Sequence, residues 1–334
     1  MLVQVEQLGT ANLGDTLAQL QQWPVPGPLR EGQVIDGWQA EKLLSQSRQS
    51  LLYRVRDSQG RAWLLKTLPP AREQEPGAAQ GLLLEEWFLR RVAGRHFPEL
   101  HTASQRQHLY YVMREYPGQS LAALLAEHGP LPMPQWLELA RQLLQAVGVL
   151  HRRNLLHRDI KPENLHLGSD GQLRLLDFGL AYCPGLSEDP LHELPGTPSY
   201  IAPEAFDGQP PSPRQDPVCR GCDVVSPADR AVTPYGEVEA FQRPRFGQPV
   251  NAARYRPDLP EWLQHNLQQA LAADPAQRFE TAEHWLLLLE RGDRQELPTR
   301  PRPLLEREPL KVWRTLALLS LLFNLILLLT LLKG

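Results

Sequence analysis

The sequence predicts an α+β fold made of two lobes, a small β-rich lobe followed by a larger helical one. Strand-like patterns dominate the first third of the chain, and helical periodicity dominates from Leu121 onward. Strands that come first and helices that come later, without regular alternation, are typical of α+β proteins. A chain of 334 residues is long enough for one large domain of two lobes.

The predicted elements follow in order along the chain. The first lobe is expected to contain strands Leu51–Arg56, Ala62–Leu68 and Leu109–Glu115 and helix Leu82–Ala93. From Leu121 to Arg153 the pattern is helical except at Gly129–Pro134, where a glycine and three prolines predict a loop and a helix start. Short strands are expected around the motifs described below. Further helices are predicted at Pro260–Ala273 and Thr281–Arg291.

The composition narrows the class of protein. Apolar residues make up 42% of the chain and its formal net charge is only -3, which argues against disorder and against a nucleic-acid partner. Three cysteines are too few for a disulfide framework, which fits a reducing compartment. Met1–Leu20 lacks the basic start and the apolar core of a signal peptide. We therefore expect the bulk of the chain to lie in the cytoplasm.

The C-terminal part of the sequence predicts a membrane anchor. Leu316–Leu332 is apolar on all sides and carries no charge, and a bilayer core of about 30 Å needs roughly 17–25 such residues. A buried core helix is the alternative. Five basic residues precede this stretch and Lys333 alone follows it, so the positive-inside rule places the N-terminal bulk in the cytoplasm. They are Arg300, Arg302, Arg307, Lys311 and Arg314.

The most informative motif is His157–Asn164, which reads His-Arg-Asp-Ile-Lys-Pro-Glu-Asn. Phosphoryl transfer from ATP depends on positioning and on charge neutralisation more than on covalent chemistry. A carboxylate must accept the proton of the attacking hydroxyl, and Asp159 is the candidate for this base. Lys161, two positions later, is the candidate for stabilising the charge on the γ-phosphoryl group.

A second motif, Asp177-Phe178-Gly179, follows the first. Mg²⁺ prefers hard oxygen ligands, which the Asp177 carboxylate and the Asn164 amide can supply. The two motifs together therefore predict a site for Mg²⁺ and ATP.

The span from about Gly37 to Arg291 resembles a eukaryotic-type serine/threonine protein kinase of the bacterial type. Lys161 is the serine/threonine pattern as opposed to the tyrosine pattern, and Gly196–Glu204 completes an activation segment of the same style. The resemblance implies a two-lobed protein-kinase-like fold, ATP and Mg²⁺ as cofactors, and protein substrates, with autophosphorylation as a further expectation. It also implies that Arg278 pairs with Glu204.

Lys66 matches the strand lysine that binds the α/β-phosphates in this family. Its ion-pair partner is expected on the following helix, where Glu85 and Glu86 are the alternatives. We favour Glu85, because Phe88, Leu89 and Val92 then share its helix face, and we expect Glu86 to be its solvated neighbour.

The glycine-rich nucleotide loop departs from the family pattern. The family has three glycines in this loop, and this chain has Ser45, Ser47 and Ser50 at the same positions. Glycine lets backbone amides approach phosphates closely. Serine is small and its N–H still donates, so these three serines are expected to bind the nucleotide with lower affinity or in a different loop conformation.

A segment of the second lobe also departs from the pattern. The family has a long buried helix after Glu204 that begins with an aspartate, and Asp216 occupies that place. Residues 217–233 are polar and interrupted by proline, which excludes this helix. We interpret the segment as a compensated frameshift, because a neighbouring reading frame permits an apolar helix. If the segment is genuine, the second lobe lacks the buried apolar surface of a core helix, which argues against a stable active kinase.

These observations divide the chain into four predicted parts. They are an N-terminal extension and Pro-rich joint (1–30), a kinase domain (31–292, with lobes at about 31–116 and 117–292), a Pro/Arg-rich juxtamembrane linker (293–314) and a transmembrane helix (315–333). The extension has a resemblance to the tail of a phosphatase domain, as in bacterial phosphatase–kinase fusion proteins. The predicted function is a membrane-tethered serine/threonine kinase with its catalytic domain in the cytoplasm. The alternative is a degenerate kinase that acts as a membrane-tethered nucleotide-binding or scaffolding module.

Overall fold

The computed structural model describes residues 23–102, 106–186, 200–216, 252 and 256–292. Its first lobe is built on an antiparallel sheet with strand order β1-β2-β3-β4-β5. The strands are β1 (Val34–Ile35), β2 (Trp38–Gln46), β3 (Leu51–Arg56), β4 (Ala62–Thr67) and β5 (Tyr110–Arg114). Helix α1 (Ala78–Arg91) lies between β4 and β5 in the chain. Neighbouring strands pair in sequence order, so the meander needs only short connections.

The second lobe combines a small sheet with helices. The sheet contains β6 (Gly118–Ser120), β7 (Leu165–Gly168) and β8 (Leu173–Leu175). The helices are α2 (Leu121–His128), α3 (Met133–Arg152), α4 (Glu261–Ala270) and α5 (Ala282–Arg291). Short 3₁₀ turns cover Pro70–Arg72, Pro162–Asn164, Pro203–Asp207, Pro213–Gln215 and Pro275–Gln277.

The main hydrophobic core is continuous from α1 into the second lobe. Phe88 and Leu89 of α1, Val147 of α3, Phe178 and Trp285 of α5 all belong to it. A smaller cluster, which includes Trp38 and Val55, lies within the first lobe. The buried faces of α3 and α5 follow the helical spacing of their apolar residues, as amphipathic helices require.

The Pro-rich joint makes contacts with the first lobe from Trp23 onward. The Trp23 ring lies 4.8 Å from the Arg106 guanidinium, and the Pro24 carbonyl accepts a hydrogen bond from the Leu109 amide. The Val25 amide donates to Glu73 at 3.1 Å. The start of the described chain is therefore packed onto the domain that follows it.

Most predicted elements correspond to observed ones. The strands predicted at residues 51–56, 62–68 and 109–115 are β3, β4 and β5, and α3 begins at Met133, within the segment predicted as a loop and helix start. Helix α1 begins four residues before the predicted Leu82. Strands β1, β2 and β6 were not predicted.

Several predictions concern residues outside the described ranges. They are the phosphatase-like extension up to residue 22, the abnormal segment 217–233, the linker 293–314 and the transmembrane helix 315–333. Among the helices of the described ranges, none has the length and apolar character needed to cross a membrane.

Candidate active site

The first cluster of functional side chains joins the two lobes around Lys66. This lysine lies on β4, and its Nζ is 2.6 Å from Glu85 Oε1 on α1 and 2.9 Å from Asp177 Oδ1. Of the two glutamates that the sequence left as alternatives, Lys66 therefore pairs with Glu85. Glu85 Oε1 also accepts a hydrogen bond from the Phe178 amide at 3.1 Å, which connects α1 to the second motif.

The charges of this cluster depend on its burial. Burial would lower the pKa of Lys66, but the carboxylates of Glu85 and Asp177 outweigh it and raise the pKa above its ordinary value. Burial pushes the pKa of Glu85 upward, against the opposing effect of the Lys66 ammonium. Burial also acts to raise the pKa of Asp177, yet Lys66 outweighs it and lowers that pKa to about 2. An ammonium held between two acidic groups can bind the anionic oxygens of a phosphate.

The expectation that Glu86 is solvated was wrong. Glu86 is only 5% exposed, and its carboxylate binds two arginines, Arg90 and Arg106, each at 2.7 Å. The Arg106 side chain is buried as well, and it donates to the Tyr110 carbonyl. The physical reason is that Arg106 supplies, from the loop before β5, the partner that a buried carboxylate needs. No local pattern around α1 signals this partner.

The second cluster lies in the loop that contains the first motif, His157–Asn164, which is called the catalytic loop below. Lys161 Nζ is 2.8 Å from Asp159 Oδ2, and Asn164 Nδ2 donates to the same Oδ2 at 2.9 Å and to the Asp159 carbonyl at 2.8 Å. Asp159 is 7% exposed. Its carboxylate is therefore held in one orientation by two donors, as the positioning of a proton acceptor requires.

Asp216 binds the backbone of this loop. Its buried carboxylate accepts hydrogen bonds from the amides of His157, at 2.8 and 3.0 Å, and of Arg158, at 2.8 Å, and lies 3.1 Å from His151 Nε2. Burial raises the pKa of Asp216, but these donors outweigh it and lower the pKa below its ordinary value. Asp216 thus anchors the loop, as the sequence predicted, whereas residues 217–233, whose sequence excludes the family's helix at this place, lie outside the described residues.

The Asp216 contacts support a strained backbone. Arg158 has a φ of 63° and Asp177 a φ of 60°, in the left-handed region that side chains other than glycine disfavour by roughly 1–2 kcal/mol. The hydrogen bonds to Asp216 from the amides of His157 and Arg158 hold the backbone that leads into the turn at Arg158. Strain of this kind persists only where surrounding contacts determine the backbone, and it is common at functional sites.

His157, the first residue of the first motif, is a neutral structural residue. It is fully buried, and burial lowers its pKa. Its Nε2 lies 3.0 Å from the Leu176 carbonyl, and its Nδ1 lies 3.4 Å from the Asp159 amide. A neutral imidazole with its proton on Nε2 donates to the first and accepts from the second, which ties the catalytic loop to the strand end before Asp177.

The residues that could hold Mg²⁺ are brought together by β7 and β8. Leu165 of β7 pairs with Leu175 of β8, and the Leu176 amide donates to the Asn164 carbonyl at 2.8 Å. Asn164 and Asp177 therefore lie at the same end of this hairpin. Because the Asn164 amide nitrogen is bound to Asp159, the amide oxygen is the atom directed to a ligand.

This donor set fits Mg²⁺. Asp177 is ionised at neutral pH, and Mg²⁺ is usually bound by one or two protein carboxylates together with phosphate oxygens and water. In the part of the chain that the structure describes, no group of three or more His, Cys, Asp or Glu residues could hold a metal by itself. Two oxygen donors beside a phosphate site are the arrangement that Mg²⁺ with a nucleotide requires.

The three serines of the nucleotide loop lie in and beside the β2–β3 connection. Ser45 is paired with Leu52 at the end of β2, and Ser47 and Ser50 flank the exposed tip. The Ser47 hydroxyl accepts hydrogen bonds from the Gln49 amide at 3.1 Å and the Ser50 amide at 3.0 Å. The loop thus forms a tight turn without glycine, because the side chain of Ser47 supplies the acceptor for its amides.

The predicted pair between Arg278 and Glu204 is confirmed. The guanidinium binds both carboxylate oxygens, at 2.8 and 2.7 Å, and both side chains are almost fully buried. Arg278 also donates to the Arg214 carbonyl at 2.8 Å, two residues before Asp216. This pair therefore stabilises the segment from which Asp216 projects.

The chain was compared with known proteins. Residues 39–286 match the protein kinase domain family. The chain is 33% identical over 182 residues to CBL-interacting protein kinase 30 of Oryza sativa subsp. japonica, a match that covers 53% of this chain and 38% of the relative. It is 28% identical over 260 residues to the serine/threonine-protein kinase PknD of Mycobacterium tuberculosis, covering 75% of this chain and 39% of the relative.

A third relative is the serine/threonine-protein kinase PrkC of Bacillus subtilis. It is 26% identical over 190 residues, which cover 55% of this chain and 29% of PrkC. The matches cover less than half the length of each of these three relatives.

Proposed function

The chain belongs to the protein kinase family, and from this premise we propose that it transfers the γ-phosphate of ATP to serine and threonine hydroxyls of proteins. Members of this family use ATP and Mg²⁺. The observation that supports the proposal most is the connection between the two clusters. Lys66 is held by Glu85 and Asp177, Asp159 is held by Lys161 and Asn164, and the β7–β8 hairpin brings Asn164 and Asp177 to the same end.

In this proposal each residue has a role that its surroundings favour. The Asp159 carboxylate orients the attacking hydroxyl and accepts its proton. The Lys161 ammonium, 2.8 Å away, places positive charge beside the transferred group. Lys66 binds the α/β-phosphates while Glu85 fixes its position. Asn164 and Asp177 would hold Mg²⁺, which neutralises charge on the phosphates when bound.

Transfer of radiolabelled phosphate from ATP tests the proposal. The full chain should phosphorylate itself or a generic protein substrate, and Asp159→Asn, which keeps the hydrogen-bonding shape but loses the base, should reduce the rate by about 10²–10⁴-fold. Loss of nucleotide-dependent transfer in a folded wild-type protein would overturn the kinase assignment. If that protein still binds ATP, the alternative of a nucleotide-binding scaffold applies. The serine-substituted loop and the polar segment 217–233 are the observations that favour this alternative.

We further propose that the chain is tethered to the cytoplasmic membrane by residues 316–332, with the kinase domain in the cytoplasm. The uncharged stretch and the basic residues before it support this proposal. Alkaline carbonate extraction of membranes tests it. The wild-type protein and Leu325→Ile should stay in the pellet, and Leu325→Arg should be partly released. Complete extraction of the wild-type protein would contradict tethering.

The frameshift interpretation of residues 217–233 has a separate test in the coding DNA. We propose that a neighbouring frame across this stretch encodes an apolar segment able to form the helix after Asp216. Reading the genomic DNA in all frames decides between the alternatives. If neither neighbouring frame is open and apolar, the segment is genuine and the scaffold alternative gains support.

A further inference from the structure

The nucleotide loop satisfies polar groups of its own backbone through Ser47. Ser47 Oγ accepts from the amides of Gln49 and Ser50 at 3.1 and 3.0 Å, and it lies 3.3 Å from the Ser50 carbonyl, to which it can donate. The Ser47 amide donates to the same carbonyl at 3.0 Å. One serine therefore occupies both amides and the carbonyl at the tip of the loop.

A second contact, from outside the loop, holds the same tip. Arg72 Nη1 donates to the Gln49 carbonyl at 3.2 Å. The rest of its guanidinium binds both carboxylate oxygens of Glu75, at 2.6 and 2.9 Å, so the arginine is fixed in its orientation. The loop is thus closed on itself by Ser47 and fastened to the segment after β4 by Arg72.

The closed conformation of the loop affects how it can bind phosphate. The loop at this place covers the nucleotide phosphates in protein kinases, and its backbone N–H groups must point at the anion. The N–H groups of Gln49 and Ser50 are directed instead to a neutral hydroxyl 2–3 residues away in the same loop. Each amide can donate a hydrogen bond to a phosphate only after its bond to Ser47 is broken.

We infer that Ser47 is an internal competitor of the ATP phosphates, and that it sets the affinity of the site for nucleotides by occupying the amides of Gln49 and Ser50. This inference rests on the proposed function. A phosphate oxygen is a charged acceptor and forms the stronger hydrogen bond, so ATP displaces the hydroxyl at a cost. Adenosine has no phosphate and does not compete for these amides.

Calorimetric titration of the full chain in detergent, with Mg²⁺, tests the inference. We expect Ser47→Ala to tighten the Kd for ATP roughly tenfold, which corresponds to about 1.4 kcal/mol, the size of one or two neutral hydrogen bonds. The Kd for adenosine should change less than about twofold. Ser47→Thr, which retains the hydroxyl, should behave as wild type. Ser58→Ala, in the exposed β3–β4 turn, is the matched control and should change neither Kd.

The outcomes separate the inference from the proposed function. An unchanged or weaker affinity of Ser47→Ala for ATP, with wild-type binding intact, would overturn the inference and show that the hydroxyl pre-organises the loop. An equal gain for ATP and adenosine would overturn it too. If neither wild type nor Ser47→Ala binds any nucleotide, the proposed function fails together with the inference.

Hydrogen exchange supplies a measurement that does not depend on affinity. In the absence of nucleotide, the Gln49 and Ser50 amides of wild type should exchange more slowly than those of Ser47→Ala. Saturating ATP should slow exchange in the variant. Equal exchange in the two nucleotide-free proteins would contradict the occupation of these amides by Ser47.

Discussion

In the catalytic loop the backbone amides are bound by a carboxylate 58–59 positions away, whereas in the nucleotide loop they are bound by a hydroxyl 2–3 positions away. Asp216 is distant from His157 and Arg158 along the chain, and Glu85 accepts from the Phe178 amide across 93 positions. Ser47 needs no other element. The geometry around Asp159 is therefore a property of the whole fold, whereas the hydrogen bonding of the nucleotide-loop amides is local and Arg72 adds a single contact from outside the loop. Substitutions in the first region should cost stability, and those in the second should change affinity.

Removal of Asp216 is the strongest test of this difference. Asp216→Ala leaves the buried amides of His157 and Arg158 without their acceptor, and each unsatisfied group costs about 1–3 kcal/mol. We expect the free energy of unfolding, measured by urea denaturation, to fall by about 3 kcal/mol or more. Phosphate transfer should be lost even where the protein is folded.

The exposed aspartate Asp258, which pairs with Arg256 at the surface, provides the matched control. Asp258→Ala should leave the free energy of unfolding close to that of wild type, because exposed ion pairs contribute little to stability. A comparable loss in the two variants would mean that Asp216 is not a special anchor of the catalytic loop.

Arg106, the buried arginine that binds Glu86 of α1, allows buried and exposed contacts to be compared in the first lobe. Arg106→Ala removes one of the two cations that neutralise Glu86, and breaking a buried pair typically costs about 3–5 kcal/mol. Because Arg90 still binds Glu86, we expect a loss of about 2–3 kcal/mol in thermal or urea unfolding. Arg114→Ala, which breaks the exposed pair with Glu99, should cost less than about 1 kcal/mol. Similar values for the two variants would contradict the role of burial.

The pH dependence of the free energy of unfolding tests the ion pair between Asp177 and Lys66, which connects the two lobes. Its pKa is about 2 in the folded protein and 3.8 ordinarily, so its contribution to stability is present above about pH 4 and is lost as the pH falls towards 2. The side chain is 51% exposed and solvent screens the effect, so we expect at most about 1 kcal/mol.

Unfolding curves of wild type and Asp177→Asn between pH 6 and pH 2.5 measure this contribution. Wild type should be the more stable at pH 6, and the difference between the two should narrow below pH 4. A difference that stays constant over the whole range would contradict the lowered pKa of Asp177.

The smallest effect is expected in the nucleotide loop. Arg72→Ala removes the hydrogen bond to the Gln49 carbonyl and an ion pair with Glu75, a residue that is half exposed. Exposed pairs contribute little, so the free energy of unfolding should change by about 0.5 kcal/mol. Amide exchange at the loop tip should nevertheless become faster. A loss above about 2 kcal/mol would show that the nucleotide loop also depends on distant contacts.

The sequence was most informative where chemistry constrains residue type. Lys66, Asp159, Lys161, Asn164 and Asp177 were identified from motifs, and the structure brings them into two connected clusters. Asp216 and the Arg278–Glu204 pair were also identified in this way. The strands β3, β4 and β5 were predicted because their apolar residues form clear strand-like runs.

The remaining features depend on contacts that a local pattern does not contain. Strand β2 was missed because register shifts between Ala40 and Lys42 and between Leu43 and Ser45 interrupt its alternation. The start of α1 was placed too late because its N-cap, Gly77, provides no side-chain acceptor. The burial of Glu86 depends on Arg106, which lies 20 positions away outside any motif.

The packing of Trp23 and Pro24 affects where the N-terminal boundary of a folded fragment can be placed. The family match begins at residue 39, but the Trp23 ring covers the Arg106 guanidinium, and the Pro24 carbonyl binds the Leu109 amide next to β5. A proteolytic cut or a truncation at residue 39 would keep every catalytic residue while exposing the arginine that neutralises Glu86. The unit that folds is therefore longer at its N-terminal side than the unit defined by similarity.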